Sequence, residues 1–343
     1  MSKLYPLKFK PIFKEKIWGG QNLKSSLSKN IPENKKLGES WEISGVEGNV
    51  SVVENGFLAG NELDELIEIY MGDLVGDKVY DKHGIEFPLL IKFIDANDIL
   101  SIQVHPDDKL AKQRYNENGK TEMWYIVDAQ KDAELILGFN HEMDKNHYLQ
   151  HLKNNELPQI LNTEKVKQGD VFYIPAGRIH AIGAGIVLAE IQQTSDVTYR
   201  IFDWNRKDDS GNYRKLHTEE AIEAIDFRAY DNYKTEYFSN KNETSKIVST
   251  KFFETNIIEF DQRIEKDYNI LDSFVIYMCL EGKFEIEYYE SEKITIEKGE
   301  TVLIPSVIEH LFLNPVNQSK ILEIYIPEKT DEKGKDITDK III

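Results

Sequence analysis

Two segments of the chain follow one template, and this repeat limits the fold more than any other feature. QGDVFYIPAGRIHAI (168–182) and KGETVLIPSVIEHLF (298–312) both run Gly, five residues, Pro, four residues, His. Gly169, Pro175 and His180 correspond to Gly299, Pro305 and His310, each displaced by 130 positions. In each copy a Gly-Asp or Gly-Glu turn enters a short apolar strand, the proline closes it, and the histidine opens the next strand. Two β-rich units of similar design are expected, and 343 residues suffice for two domains of about 150 each.

Alternating β-branched and aromatic residues recur in FPLLIKFI (87–94), EMWYIV (122–127), DVFYIP (170–175), FVIYMCL (274–280), KFEIEYY (283–289) and TVLIP (301–305). Runs this short, bounded by Gly, Pro, Asp or Asn, read as strands. Helical periodicity is confined to four stretches. ELDELIEIY (62–70) follows Asn61 as a cap, and PDDKLAKQRYNENG (106–119) stops at Gly119; HEMDKNHYLQHLKNN (141–155) and TEEAIEAID (218–226) are less regular. The expected fold is mostly β with a few peripheral helices. The polar stretch 228–246 is read as a linker between a chemically equipped unit (1–227) and a second unit (247–328), with a charged tail at 329–343.

Acidic residues outnumber basic ones by 60 to 42, a net charge of −18. That balance speaks against nucleic acid and anionic membranes as partners, since both respond to an extended basic surface. The single Cys279 leaves no disulfide framework or thiolate cluster and fits a reducing compartment. The start lacks a signal-peptide core and no stretch approaches the roughly 18 apolar residues of a membrane span, so a cytoplasmic location is expected.

Potential metal ligands gather in the first unit. Gln103 and His105 in SIQVHPDD share one face if 101–105 is a strand. Glu122 opens the next apolar run, and His180 leaves the turn after Pro175. Two imidazoles, one carboxylate and one amide suit a divalent cation such as zinc, with a position left for substrate or water. The matching region of the second unit, FVIYMCLEGKFEIE, holds no histidine, so His310 is read as a relic or a core residue. Trp18 and Trp41 are read as core.

The stretch Gly169–His180 resembles the second cupin motif. The wider chain, roughly 5–327, is similar to cupin-type mannose-6-phosphate isomerases in their shorter bacterial form. The matching segments are IWGG (17–20), LGESWEIS (37–44), PLLIKFIDANDILSIQVHPDD (88–108), GKTEMWYI (119–126) and the block 169–206. This resemblance implies two double-stranded β-helix (jelly-roll) cupin units, the second degenerate. It implies one zinc ion per chain on Gln103, His105, Glu122 and His180, the four residues reached above. It places an active-site arginine at Arg200, an aspartate at Asp196 and a lysine at Lys120; Arg206 falls where longer relatives have a lysine. Two departures stand out. Gly119 replaces the histidine of the longer forms' His-Lys-Pro-Glu-Met, and their extra helical domain is absent, which leaves a more open pocket.

The activity implied is interconversion of mannose 6-phosphate and fructose 6-phosphate through an enediol. Such a reaction needs a base near C2, positive charge at the two reacting oxygens and a phosphate anchor. Arg200 suits an oxyanion, and Glu190 or Asp196 the base, with Lys120 close to both roles. Glu190 lies in the apolar run AGIVLAEI, where desolvation is expected to raise its pKa toward neutrality. Lys92, inside the strand PLLIKFI, is expected to snorkel outward or meet an anion, and Ser101 and Arg206 to join it at the phosphate. Four cations in motif-bearing segments reconcile a small anionic substrate with the global charge. Two other readings compete: an iron-dependent cupin oxygenase and a non-enzymatic sugar-phosphate sensor. The partner is a small phosphorylated sugar, and the chain is expected to be a monomer or homodimer.

Overall fold

The structure, a computed structural model, describes residues 3–207 and 210–327; the tail read at 329–343 lies outside the described residues. Four sheets form two similar pairs. The first pair joins a six-stranded sheet, in the order Ile12–Gly20, Leu37–Ile43, Leu89–Ala96, Ile186–Gln193, Glu122–Ala129, Val171–Ile174, to a five-stranded one. The latter runs Tyr199–Phe202, Ile102–Val104, His180–Ile182, Glu134–Phe139, Leu161–Lys165. The second pair joins the order Leu7–Lys8, Thr301–Ile304, Val275–Glu281, Ser319–Tyr325, Glu254–Phe260, Thr244–Ser249 to a four-stranded sheet of Ile264–Asp267, His310–Pro315, Lys283–Tyr288 and Glu292–Glu297. The mostly β chain in two similar units is what the repeat leads one to expect, and the jelly-roll cupin form is what the family resemblance implies.

The repeat survives at the level of hydrogen-bond register. Val171–Ile174 and Thr301–Ile304 are displaced by 130, and His180 and His310 each open the following strand. Gly169 and Gly299 sit in the same turn with φ of 89° and 83°, a region in which a side chain is strained. Strand neighbours correspond too. Glu122 stands opposite Ile174 and Gln192, whereas Val275 stands opposite Ile304 and Tyr325. The second unit therefore has an apolar residue where the first has its carboxylate.

Period-two alternation explains where the core lies. Leu89–Ala96 and Ile186–Gln193 are buried along both faces. Leu89, Ile91, Phe93, Ala189 and Ile191 belong to one cluster with Ile257, Phe274, Ile276, Leu303 and Leu322 of the second unit, so this cluster joins the two. The other face of the first sheet turns inward. There Ile94, Leu188, Ile126 and Phe172 pack with Leu135, Leu137 and Ile182 of the five-stranded sheet. Lys92, Glu190 and Glu122 alternate with the outward residues and stand on the same inward face. One end of the jelly roll is thus filled by hydrocarbon and the other by charge.

The helices are shorter than the sequence periodicity suggests. Leu63–Tyr70 is capped by Glu62 in a reciprocal box with Glu65, not by Asn61, and Asp108–Tyr115 ends at Asn116 in a left-handed conformation, ahead of Gly119. The stretches at 141–155 and 218–226 contribute Lys145–Lys153 and Thr218–Ile222. Helices at Asn22–Leu27, Gly72–Val75 and Asp77–His83 have too few turns for a periodic signal. Among the described residues, no helix is long and apolar enough to cross a membrane.

Candidate active site and metal centre

The residues read as metal ligands converge. The short strand Ile102–Val104 pairs with His180–Ile182 so that Gln103 faces His180, and the Gln103 amide nitrogen lies 3.1 Å from His180 Nε2. A half-turn of the amide would present its oxygen instead. Glu122 Oε1 is 3.4 Å from His180 Nε2, and Glu122 Oε2 is 3.6 Å from His105 Nε2. His105, Glu122 and His180 are at most 1 % exposed, and one ligand atom from each lies within 4.8 Å of the others.

Hydrogen bonds fix which nitrogen each imidazole offers. His105 Nδ1 donates to the Val197 carbonyl at 3.1 Å and His180 Nδ1 to the Arg178 carbonyl at 2.9 Å. Each Nε2 therefore keeps its lone pair and points at Glu122, the arrangement second-sphere carbonyls impose on metal-binding histidines. Burial holds both imidazoles neutral, pushing His180 down to about 4 and His105 well below its ordinary value, with Lys120 acting in the same direction. Burial also raises the Glu122 pKa, helped by the nearby charge of Glu190 and opposed by Lys120. His105 Nε2 and both Glu122 oxygens are buried and lack a hydrogen-bond partner. Buried acceptors left unpaired cost free energy, and a divalent cation answers all three.

Lys92 and Glu190 form the floor beside this cluster. Lys92 Nζ donates to Glu190 Oε1 at 2.9 Å and Gln192 Oε1 at 2.7 Å, while Trp124 Nε1 donates to Glu190 Oε2 at 2.9 Å. Lys92 is 5 % exposed, so it does not snorkel; it is a buried cation with a carboxylate partner. Lys92 thus meets an anion, the second of its two expected outcomes, whereas the expectation of a raised Glu190 pKa is overturned. Burial acts that way, but Lys92, Lys120 and the Trp124 indole outweigh it and hold Glu190 below the ordinary carboxylate value. Sequence reasoning missed Glu39, whose carboxylate accepts from Trp41 Nε1 at 2.6 Å and pairs with Lys16 at 2.9 Å. Trp18 and Trp41 are buried.

The remaining candidates fall into separate groups. Lys120 is buried with Nζ 3.8 Å from Glu122. Arg200 stands opposite Gln103 in the strand ladder, which puts its side chain on the ligand face; a terminal nitrogen donates to the Lys215 carbonyl at 3.0 Å. Arg206 pairs with Asp203 at 2.7 Å and donates to the Ile99 carbonyl, two residues before the buried Ser101. The four cations thus occupy two places, Lys92 and Lys120 against buried carboxylates and Arg200 and Arg206 around Asp203. Asp196 is exposed and lines an adjoining cleft of about 800 Å³ with Glu47, Glu86 and Glu117. His310 is not a core residue: its side chain is 56 % exposed and Nε2 meets Asn269 at 2.8 Å.

Residues 6–162 match the family described as phosphomannose isomerase type I, catalytic domain. The mannose-6-phosphate isomerase of Streptococcus mutans is 36 % identical over 306 residues, covering 89 % of this chain and 93 % of that protein. The chain belongs to the type I phosphomannose isomerase family. The mannose-6-phosphate isomerase ManA of Bacillus subtilis is 45 % identical over 225 residues, which is 64 % of this chain and 68 % of the relative. The crystal structure of a mannose 6-phosphate isomerase from Bacillus subtilis superposes with a TM-score of 0.84 at 31 % identity, over 94 % of this chain and 99 % of that one. Membership of an isomerase family agrees with the expectation drawn from the motif blocks.

Proposed function

We propose that the protein is a zinc-dependent aldose–ketose isomerase that interconverts D-mannose 6-phosphate and D-fructose 6-phosphate through an enediol. The observation that carries this reading is the set of three buried, unpaired ligand atoms on His105 and Glu122, beside His180 with its Nε2 aimed at the same point. Gln103 completes the donor set by turning its amide oxygen inward. His105, Glu122, His180 and Gln103 would hold a zinc ion, and that ion would supply positive charge against the negative charge that grows as the C2 proton leaves.

The reaction moves protons only. Once the sugar ring is open, a proton leaves C2 and one returns to C1, O1 gains a proton and O2 loses one, so no oxidant or reductant is consumed. Lys120 and Glu190 are the groups assigned to these transfers; Asp196, exposed in the adjoining cleft, is not assigned one. Lys120 Nζ lies 3.8 Å from Glu122, and Glu190 is kept ionised by Lys92, so it is in the proton-accepting form although the same pairing weakens it as a base. Arg200, on the Gln103 side, presents a permanent charge to the developing oxyanion, and Ser101, Lys92 and Arg206 complete substrate binding. The two carboxylates nearest the centre, Glu122 and Glu190, are matched by Lys120 and Lys92, so the site admits an anion despite the acidic surface. A cytoplasmic phosphosugar is the partner this reading implies.

A coupled assay for fructose 6-phosphate, run with metal analysis of the same sample, tests it. Chelation should abolish turnover and about one zinc per chain should restore it. His105→Ala and Arg200→Ala should each lower kcat/KM by about 1,000-fold, the order expected when an electrophile worth several kcal/mol is removed. Full activity in metal-free protein, or oxygen uptake in place of isomerisation, would overturn the reading.

A further inference from the structure

A third arginine reaches the carboxylate that holds Arg206. Arg214 grips Asp203 with two bonds, Nε to Oδ2 at 2.7 Å and a terminal nitrogen to Oδ1 at 2.5 Å. Arg206 donates to the same Oδ1 at 2.7 Å. Asp203 is 6 % exposed, and it bridges the two guanidinium groups. Arg200 stands close by: burial and the charges of Arg214 and Arg206 depress its pKa, with Asp203 opposing. Two guanidinium groups thus share the Asp203 carboxylate, with Arg200 near them and the more exposed Asp98 3.7 Å from Arg206, in a chain of net charge −18.

Like charges packed this way repel unless an anion enters among them. Donors remain for one. Nε of Arg200 and Nε of Arg206 are buried without hydrogen-bond partners. The cluster also lies on the substrate side. Arg200 is opposite Gln103, while Arg206 holds the Ile99 carbonyl and Trp204 Nε1 donates to the Leu100 carbonyl at 2.8 Å, the two residues before Ser101.

We propose that Arg214 is a positioning residue for the phosphate end of the substrate, holding Asp203 so that Arg206 keeps its charge available and the cluster selects a phosphate monoester over the unphosphorylated sugar. The inference rests on the isomerase reading above. Its physical content is competition for Asp203, the buried carboxylate bonded to Arg206, Asp98 being farther away at 3.7 Å and exposed. With Arg214 in place, it occupies both Asp203 oxygens and Arg206 only shares Oδ1; without it, both oxygens turn to Arg206 in a fork-to-fork pair and neutralise it.

The test compares wild type, Arg214→Ala, Arg214→Lys and the double variant Asp203→Asn/Arg214→Ala. Arg214→Ala should raise KM for mannose 6-phosphate much more than it changes kcat. The preference in kcat/KM for mannose 6-phosphate over mannose should fall about 10- to 100-fold, the scale of a charge-assisted hydrogen bond. The double variant should recover much of that preference, because an uncharged residue at 203 no longer captures Arg206. Arg214→Lys, which keeps the charge but not the two-bond grip, should lie between, and it serves if the alanine variant does not fold. A merely structural role predicts no recovery in the double variant, and an unchanged preference in Arg214→Ala and Arg214→Lys would equally overturn the proposal. Stabilisation of each protein by inorganic phosphate in thermal melts provides a separate readout. If wild type proves inactive on mannose 6-phosphate, the isomerase reading fails while loss of phosphate stabilisation in Arg214→Ala still upholds the role of Arg214, and its retention still overturns it.

Discussion

Burying Lys92 beside Glu190 removes two charges from water, and their mutual hydrogen bond at 2.9 Å offsets that cost only while both remain. Lys92→Met should therefore destabilise the protein by about 3–5 kcal/mol, because it strands a buried carboxylate, whereas adding Glu190→Gln should return a large part of the loss. Urea titrations of the two single variants and the double variant give the coupling directly, and additive losses would refute it. Glu39 makes a pH-dependent contribution of known sign. Burial acts to raise its pKa, but Lys92, Lys16 and the Trp41 indole overcome this and hold it at about 2, against 4.5 when free. A carboxylate held low stabilises the fold above its unfolded pKa, and that stability is lost as pH falls from about 4.5 toward about 2. Glu39→Gln should be less stable than wild type at neutral pH, with the gap closing on acidification through that window in urea midpoints. How much of the site is legible in sequence follows from such contacts. Gln103, His105, Glu122 and His180 declare themselves through ligand chemistry and strand alternation. Lys92 also stands out as a charge inside an apolar strand, but its partner does not, since Glu190 lies 98 residues away and meets it through strand register. Arg214 carries no signal at all, because its place depends on the path of a loop.

Among the elements, the repeated turn is where sequence and geometry agree most closely, and its two copies should respond differently to one methyl group. Both Gly169 and Gly299 have positive φ, so alanine is strained at either, by about 1–2 kcal/mol. Around Gly169 a Cβ would meet nothing nearer than 3.7 Å, whereas at Gly299 it would lie 2.0 Å from the carbonyl oxygen of Leu27. Gly299→Ala should therefore cost clearly more than Gly169→Ala, even though Gly299 belongs to the unit without ligands. Thermal melts decide this, and equal losses would show that the Leu27 turn yields easily. The strands were legible because a 2-residue period, a Gly before and a Pro after leave few alternatives. Helix limits were not. Glu62, Asp107 and Asp144 set the starts through capping, and Asn116 in a left-handed conformation sets an end. Val275 in the place of Glu122 explains how one template gives a ligand site once and hydrocarbon the second time.

At the scale of the molecule, the two jelly rolls are joined by far more than the polar stretch between them. Leu7–Lys8, at the start of the chain, pairs with Thr301–Ile304 of the second unit. The Phe274 amide donates to the Val75 carbonyl at 3.2 Å, and the Ser306 and Val307 amides donate to Leu74 and Asp73 at 3.0 Å. Asp272 accepts from the Asp77 and Lys78 amides at 2.7 and 3.0 Å, and so caps a helix of the first unit from the second. The Phe87 and Phe274 rings lie 4.6 Å apart inside the cluster that spans both six-stranded sheets. Units sharing a sheet edge, a helix cap and a hydrophobic cluster lose stability together, because unfolding either one exposes apolar surface on the other. Calorimetry should thus show one transition with equal calorimetric and van't Hoff enthalpies, and two resolved transitions would mean that the shared cluster is weakly coupled. Phe274→Ala tests the same coupling from the side without ligands. Removal of a buried aromatic ring should cost about 3–5 kcal/mol and lower the single melting temperature, including the temperature at which zinc added to the proposed site of the first unit is released. If metal release keeps its wild-type temperature while the rest of the transition moves down, the second unit does not support the active site of the first.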